Sequence, residues 1–93
     1  MKTLGLKNQM QKILAKAMKR WPDTPTHATN IEVRYEMVKY SSGNMGQQLH
    51  LYVAVYEQAC HVRVAWKSIA GTPEEIYERL DTLDLMEEED ENA

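Results

Sequence analysis

Two periods divide the chain. Over residues 3–21, Leu6, Met10, Ile13, Leu14, Ala17, Met18 and Trp21 fall in one stripe at about 100° per residue, and Lys12, Lys16, Lys19 and Arg20 take the other side. This spacing predicts an amphipathic helix. Pro22 disfavours a helical conformation at Trp21 and Pro25 reinforces the break, so the helix should end near Arg20 and residues 23–30 should form a connection.

From Ile31 the period drops to two. Ile31, Val33, Tyr35 and Met37 alternate with Glu32, Arg34 and Glu36. Leu49, Leu51, Val53 and Val55 alternate with His50, Tyr52, Ala54 and Tyr56, and Val62, Val64 and Trp66 with His61, Arg63, Ala65 and Lys67. Each run reads as a half-buried strand. Residues 41–46 supply Ser, Gly and Asn for the first connection, where matching the apolar faces requires an even sum of paired positions. An odd-length loop or a bulge meets that requirement, and Gly43 and Gly46 allow either. The second connection runs through Gln58 and Ala59, as a tight turn or a four-residue loop. It is expected to set Tyr56 opposite His61, Val53 opposite Val64, Leu51 opposite Trp66 and His50 opposite Lys67.

After Gly71, the run Thr72-Pro73-Glu74-Glu75 combines a capping residue, a proline suited to the first helical position and early acids. A second helix should start at Pro73, with Ile76, Tyr77, Leu80 and Leu83 as its apolar side. The expected fold is therefore α+β, a two-layer α-β-β-β-α arrangement. A three-stranded antiparallel sheet would carry both helices on the face lined by Ile31, Val33, Tyr35, Leu51, Val53, Val62, Val64 and Trp66. The element order resembles that of double-stranded-RNA-binding domains in topology. Those domains present lysines at the start of the second helix, where this chain has Thr72-Pro73-Glu74-Glu75, so no family is assigned.

Composition bounds this picture. The 93 residues, 43% of them hydrophobic, suit one small core, so residues 1–86 are expected to form a single domain and residues 87–93 a flexible acidic tail. No apolar run approaches the roughly 18 residues of a membrane span, and the start lacks the apolar run of a signal peptide. One cysteine, Cys60, allows neither an internal disulfide nor a multi-cysteine zinc site. A cytoplasmic protein without membrane association is the expectation.

The net charge of -3 hides a polarity along the chain. Lys2, Lys7, Lys12, Lys16, Lys19 and Arg20 lie near the start without an acid among them, whereas from Thr72 onward the acids are opposed by Arg79 alone. Fields of this kind steer association but do not specify chemistry.

Three candidate surfaces follow. Arg34, His50, Tyr52, Tyr56, Arg63 and Lys67 are expected on the solvent face of the sheet, where tyrosine beside arginine suits a partner-binding site. The acidic end, including Glu87, Glu88 and Glu89, could address a basic protein. Lys12, Lys16, Lys19 and Arg20 form a basic stripe that could meet phosphates.

No metal site is expected. Alternation sends Cys60 and His61 to opposite faces, and the expected register sets His50 far from His61. No nucleophile stands beside a base, and the carboxylates gather where nothing would desolvate them, so no catalytic residue and no cofactor is expected. The reading is a small non-catalytic protein-interaction module, a regulator or inhibitor of a protein partner with a basic surface, of the kind phages and mobile elements carry. The alternatives are a nucleic-acid-binding domain using the sheet face and the basic stripe, and a self-associating structural protein that forms a homodimer.

Overall fold

Residues 5–88 are described by a computed structural model. In chain order the elements are α1 (Leu6–Arg20), β1 (His27–Lys39), β2 (Met45–Glu57), β3 (Arg63–Gly71), α2 (Pro73–Arg79) and β4 (Met86–Glu87). The strands form one antiparallel sheet in the order β1-β2-β3-β4. The fold is α+β, but the sheet has four strands where alternation predicted three. After α2 the chain turns back and pairs with β3 through Ala65↔Glu87 and Trp66↔Met86. A strand this short inside a charge run carries no periodic signal.

The central strand, β2, supplies the fully buried Leu49, Leu51 and Val53. Around them pack Ile69 of β3, Ile13 and Ala17 of α1, Ile76 of α2, and Leu80 and Leu83 just after it. The helix ends follow local rules. The Trp21 N–H still bonds the Ala17 carbonyl at 2.8 Å, and Pro22 then offers no N–H to continue α1. At α2 the Thr72 hydroxyl accepts the Glu75 N–H at 3.2 Å, with Pro73 in the first turn.

β1 starts at His27 rather than Ile31, because residues expected to be loop are drawn into pairing with the far end of β2. Its register sets Ile31 opposite Val53, Val33 opposite Leu51 and Tyr35 opposite Leu49. The even sum that the apolar faces require comes from an odd-length loop. The Tyr40 N–H bonds the Asn44 carbonyl at 2.9 Å around Ser41, Ser42 and Gly43, and Gly43 takes φ 92°, a value that costs glycine little.

The β2–β3 pairing departs from the expected one. The turn is a four-residue loop, Gln58 to His61, closed by the Glu57 N–H on the Val62 carbonyl at 2.9 Å, and Tyr56 faces Arg63, not His61. A bulge between Val55 and Tyr56 then leaves Val64 as an extra residue, after which Val55 faces Ala65, Val53 faces Lys67 and Leu51 faces Ile69. Trp66, expected inside, therefore lies on the outer face. Lys67, expected outside, lies on the helix side, and Val62 is 54% exposed.

Side-chain parity explains the bulge. Arg63 and Ile69 are six positions apart and would share a face in a regular strand, yet Ile69 belongs with the aliphatic core and a guanidinium does not. One extra residue separates them. It also brings Arg63 and Trp66, three positions apart, onto the same face.

Candidate outer-face site

On the side of the sheet away from the helices, Tyr52 and Tyr56 of β2 meet Arg63 and Trp66 of β3. Arg63 Nη1 donates to the Tyr52 hydroxyl at 2.9 Å, and the guanidinium lies 5.2 Å from the centre of the Trp66 ring. Trp66 sits opposite Ala54, and Ala54 is fully sealed from solvent although its side chain is on the outer face. The aromatic rings thus make a second, shallow apolar layer, and Tyr52, Tyr56 and Trp66 are each half-buried.

The neighbouring Tyr52 hydroxyl, with a smaller contribution from burial, holds the Tyr56 pKa above the ordinary tyrosine value. Hydrogen bonds to Tyr52 and Glu88 hold Arg63 above its own ordinary value, so the guanidinium stays charged.

Glu88 completes the cluster. Following β4, its backbone N–H bonds the Val64 carbonyl at 2.9 Å and its carboxylate accepts from Arg63 Nε at 2.6 Å. Glu87 lies in β4 itself, so the acidic segment begins inside the sheet, while Glu89 lies outside the described residues. Toward the other end of the face, Arg34 sits opposite His50, and both approach Glu36, Arg34 at 3.4 Å and His50 at 3.5 Å.

Of the six residues expected on this face, the structure brings Tyr52, Tyr56 and Arg63 together, sets Arg34 and His50 in a separate group, and removes Lys67 to the helix side. Trp66, which alternation assigned to the inner face, and Glu88, which the charge run assigned to a flexible acidic tail, are the further members of this cluster. Ile69, an isolated aliphatic residue out of phase with Val62, Val64 and Trp66, is the signal in the sequence for that shift.

The basic stripe of α1 is divided. Lys16 reaches Asp81 at 3.2 Å and the Tyr77 carbonyl at 2.8 Å, with its ammonium 3.9 Å from the Tyr77 ring centre. Arg20 donates to the Leu80 carbonyl and approaches Asp84 at 3.9 Å. Each exposed ion pair contributes at most about 1 kcal/mol, yet together they lay part of the basic end against part of the acidic end. Lys12 and Lys19 stay exposed at the rim of the resulting groove, about 630 Å³ in volume.

Among the described residues no group of three or more His, Cys, Asp or Glu is placed to hold a metal ion, and no helix is long and apolar enough to cross a membrane. Cys60 is exposed in the β2–β3 loop and donates to the Glu57 carboxylate at 3.1 Å. Compared with protein-family models, curated proteins and solved structures, the chain has no match.

Proposed function

We propose that this chain is a small non-catalytic protein-interaction module, a regulator or inhibitor that acts by occupying a surface of a protein partner. The observation that carries the reading is the cluster of Tyr52, Tyr56 and Trp66 around Arg63 on the sheet face turned away from the helices. Tryptophan, tyrosine and arginine are the residue types that dominate binding hot spots, because they combine large apolar area with a polar handle. The exposed carboxylates Glu74, Glu75, Glu78 and Glu87 favour a partner with a basic surface.

Nucleic-acid binding has less support. Phosphate attraction depends on cations able to displace counterions, and Lys16, Arg20, Arg34 and Arg63 all lie against carboxylates of the same chain. Lys67 no longer contributes to the outer face.

The test is affinity capture from cell extract with the wild-type chain, followed by binding titration of the purified partner. Tyr52→Ala/Trp66→Ala should abolish binding while Lys12→Ala/Lys19→Ala leaves it intact. Retention of the partner by the first variant would remove the outer face from the mechanism. Salt-sensitive oligonucleotide binding lost only in the second variant would replace this reading with the nucleic-acid one.

A further inference from the structure

β1 is the outermost strand of the sheet and runs for 13 residues, about twice the usual strand length. Its hydrogen bonds fix which backbone groups face outward. The Thr26 carbonyl and the Tyr40 N–H bond toward the neighbouring strand, to Gln58 and Asn44, whereas the His27 carbonyl and the Thr29 N–H bond away from it, to Thr24 and Asp23. Even-numbered residues therefore bond β2, and odd-numbered ones aim their N–H and C=O groups out of the sheet. Asp23 takes the Thr29 N–H and ends the free edge there. Among the described residues, the outward groups from Ile31 to Met37 have no strand to pair with.

The side chains of this edge are also unfinished. Ile31 and Val33 line an apolar groove of about 380 Å³ with Leu6, Met10 and Leu14 of α1, and Tyr35 and Met37 beside it are 37% and 57% exposed. On the opposite face Glu32 makes no ion pair with any described residue, and the Arg34 side chain is 66% exposed. Long edge strands are normally blunted by charge, proline or cover. The Ile31–Met37 stretch has no proline, its charges Glu32, Arg34 and Glu36 alternate in sign on one face only, and its other face stays apolar.

We propose that a second copy of this chain pairs with β1 along this edge, antiparallel about a two-fold axis at Val33. In that register Val33 faces Val33, Ile31 faces Tyr35, and Glu32 faces Arg34 of the other copy, each of the last two pairs occurring twice by symmetry. The outward groups of Ile31, Val33 and Tyr35 then form about six backbone hydrogen bonds. Shifting the axis to Arg34 sets Arg34 against itself and Glu32 against Glu36. Shifting it to Glu32 sets Glu32 against itself. Shifting it to Tyr35 sets Ile31 against the charged Lys39. Like-charge contacts therefore exclude the Arg34 and Glu32 axes, and the mismatch of Ile31 with Lys39 excludes the Tyr35 axis, which leaves Val33. The two α1 helices approach over it and close the apolar groove, and the cluster of Tyr52, Arg63 and Trp66 stays uncovered, so the dimer stands independently of the proposed partner site.

The experiment is light scattering with sizing chromatography across a wide concentration range. Wild type should reach twice the 10.8 kDa chain mass. Glu32→Lys and Arg34→Glu should each weaken dimerisation by about tenfold or more, and an equimolar mixture of the two should restore it, because opposite charges face each other again in the mixed dimer. Val33→Pro removes an outward N–H without touching the β2 ladder, so it should keep native circular dichroism while remaining monomeric. A wild type that stays monomeric at every concentration overturns the proposal. So does a dimer that survives either charge substitution, or single variants that fail to recover on mixing.

Discussion

Replacing Trp66 and Ile69, one at a time, with lysine decides which of them the core uses. Ile69 is 6% exposed, faces Leu51 across the strands and packs with Ile76 and Leu80. Losing its packing costs about 3 kcal/mol, and holding an ammonium in its place adds several more. That sum approaches the whole stability of a small domain, about 5–15 kcal/mol, so Ile69→Lys should not fold. Trp66 is half-buried on the outer face. A fully buried tryptophan removes about 150–250 Å² from water, so half of that, at about 25 cal/mol per Å², amounts to roughly 2.5 kcal/mol. The lysine can lay its stem on the tyrosines and reach solvent. Trp66→Lys should therefore stay folded with its melting temperature lowered by roughly 10–20 °C. Urea denaturation followed by circular dichroism, with amide NMR spectra to confirm native packing, measures both. A folded Ile69→Lys beside an unfolded Trp66→Lys would refute the bulged register and restore uninterrupted alternation.

Three further outcomes follow from the same architecture. Because the folded chain holds the Tyr56 proton more tightly than the unfolded chain does, its stabilisation is complete below about pH 10 and is lost as pH rises through the raised folded value; denaturation midpoints above that pH should fall more steeply for wild type than for Tyr56→Phe, and identical slopes would contradict the assignment. Gly43→Ala forces a side chain into φ 92° and should cost about 1–2 kcal/mol by thermal melting, and an unchanged melting temperature would contradict the positive φ at this turn. Truncation after Leu85 removes the Arg63–Glu88 pair, worth about 0.2–1 kcal/mol, but also releases the ordering cost of the β4 residues, about 1–2 kcal/mol each. Stability should change little, and iodide quenching of tryptophan fluorescence should rise as Trp66 and Arg63 open to the anion; unchanged quenching would mean that β4 does not cover them.

Much of the fold was legible wherever a local rule acted alone. Helix α1 ends at Arg20 because Pro22 follows, α2 begins at Pro73 because Thr72 caps it, and the first hairpin keeps Ile31, Val33 and Tyr35 aligned with Val53, Leu51 and Leu49 because Gly43 permits an odd loop. The same alternation put Tyr52 and Tyr56 on the outer face. It failed at Val64, where one extra residue exchanged the faces of Trp66 and Lys67. Strand periodicity counts residues, so the bulge leaves only an indirect trace, Ile69 falling out of phase with Val62, Val64 and Trp66. Which of these residues the core claims is decided only when the helices pack on β2 and β3.

Charge divides the same way. The sequence by itself determined that cations gather at the start and acids at the end, together with the helical and two-residue periods that build the layers. Only the tertiary structure decided that Lys16 meets Asp81, that Arg63 meets Glu88 and that β4 joins the sheet, because these pairs are separated by many residues and come together only when β3 and α2 pack. Local spacing sets which side of its own element a residue occupies; what it touches there is set by the elements the core brings alongside.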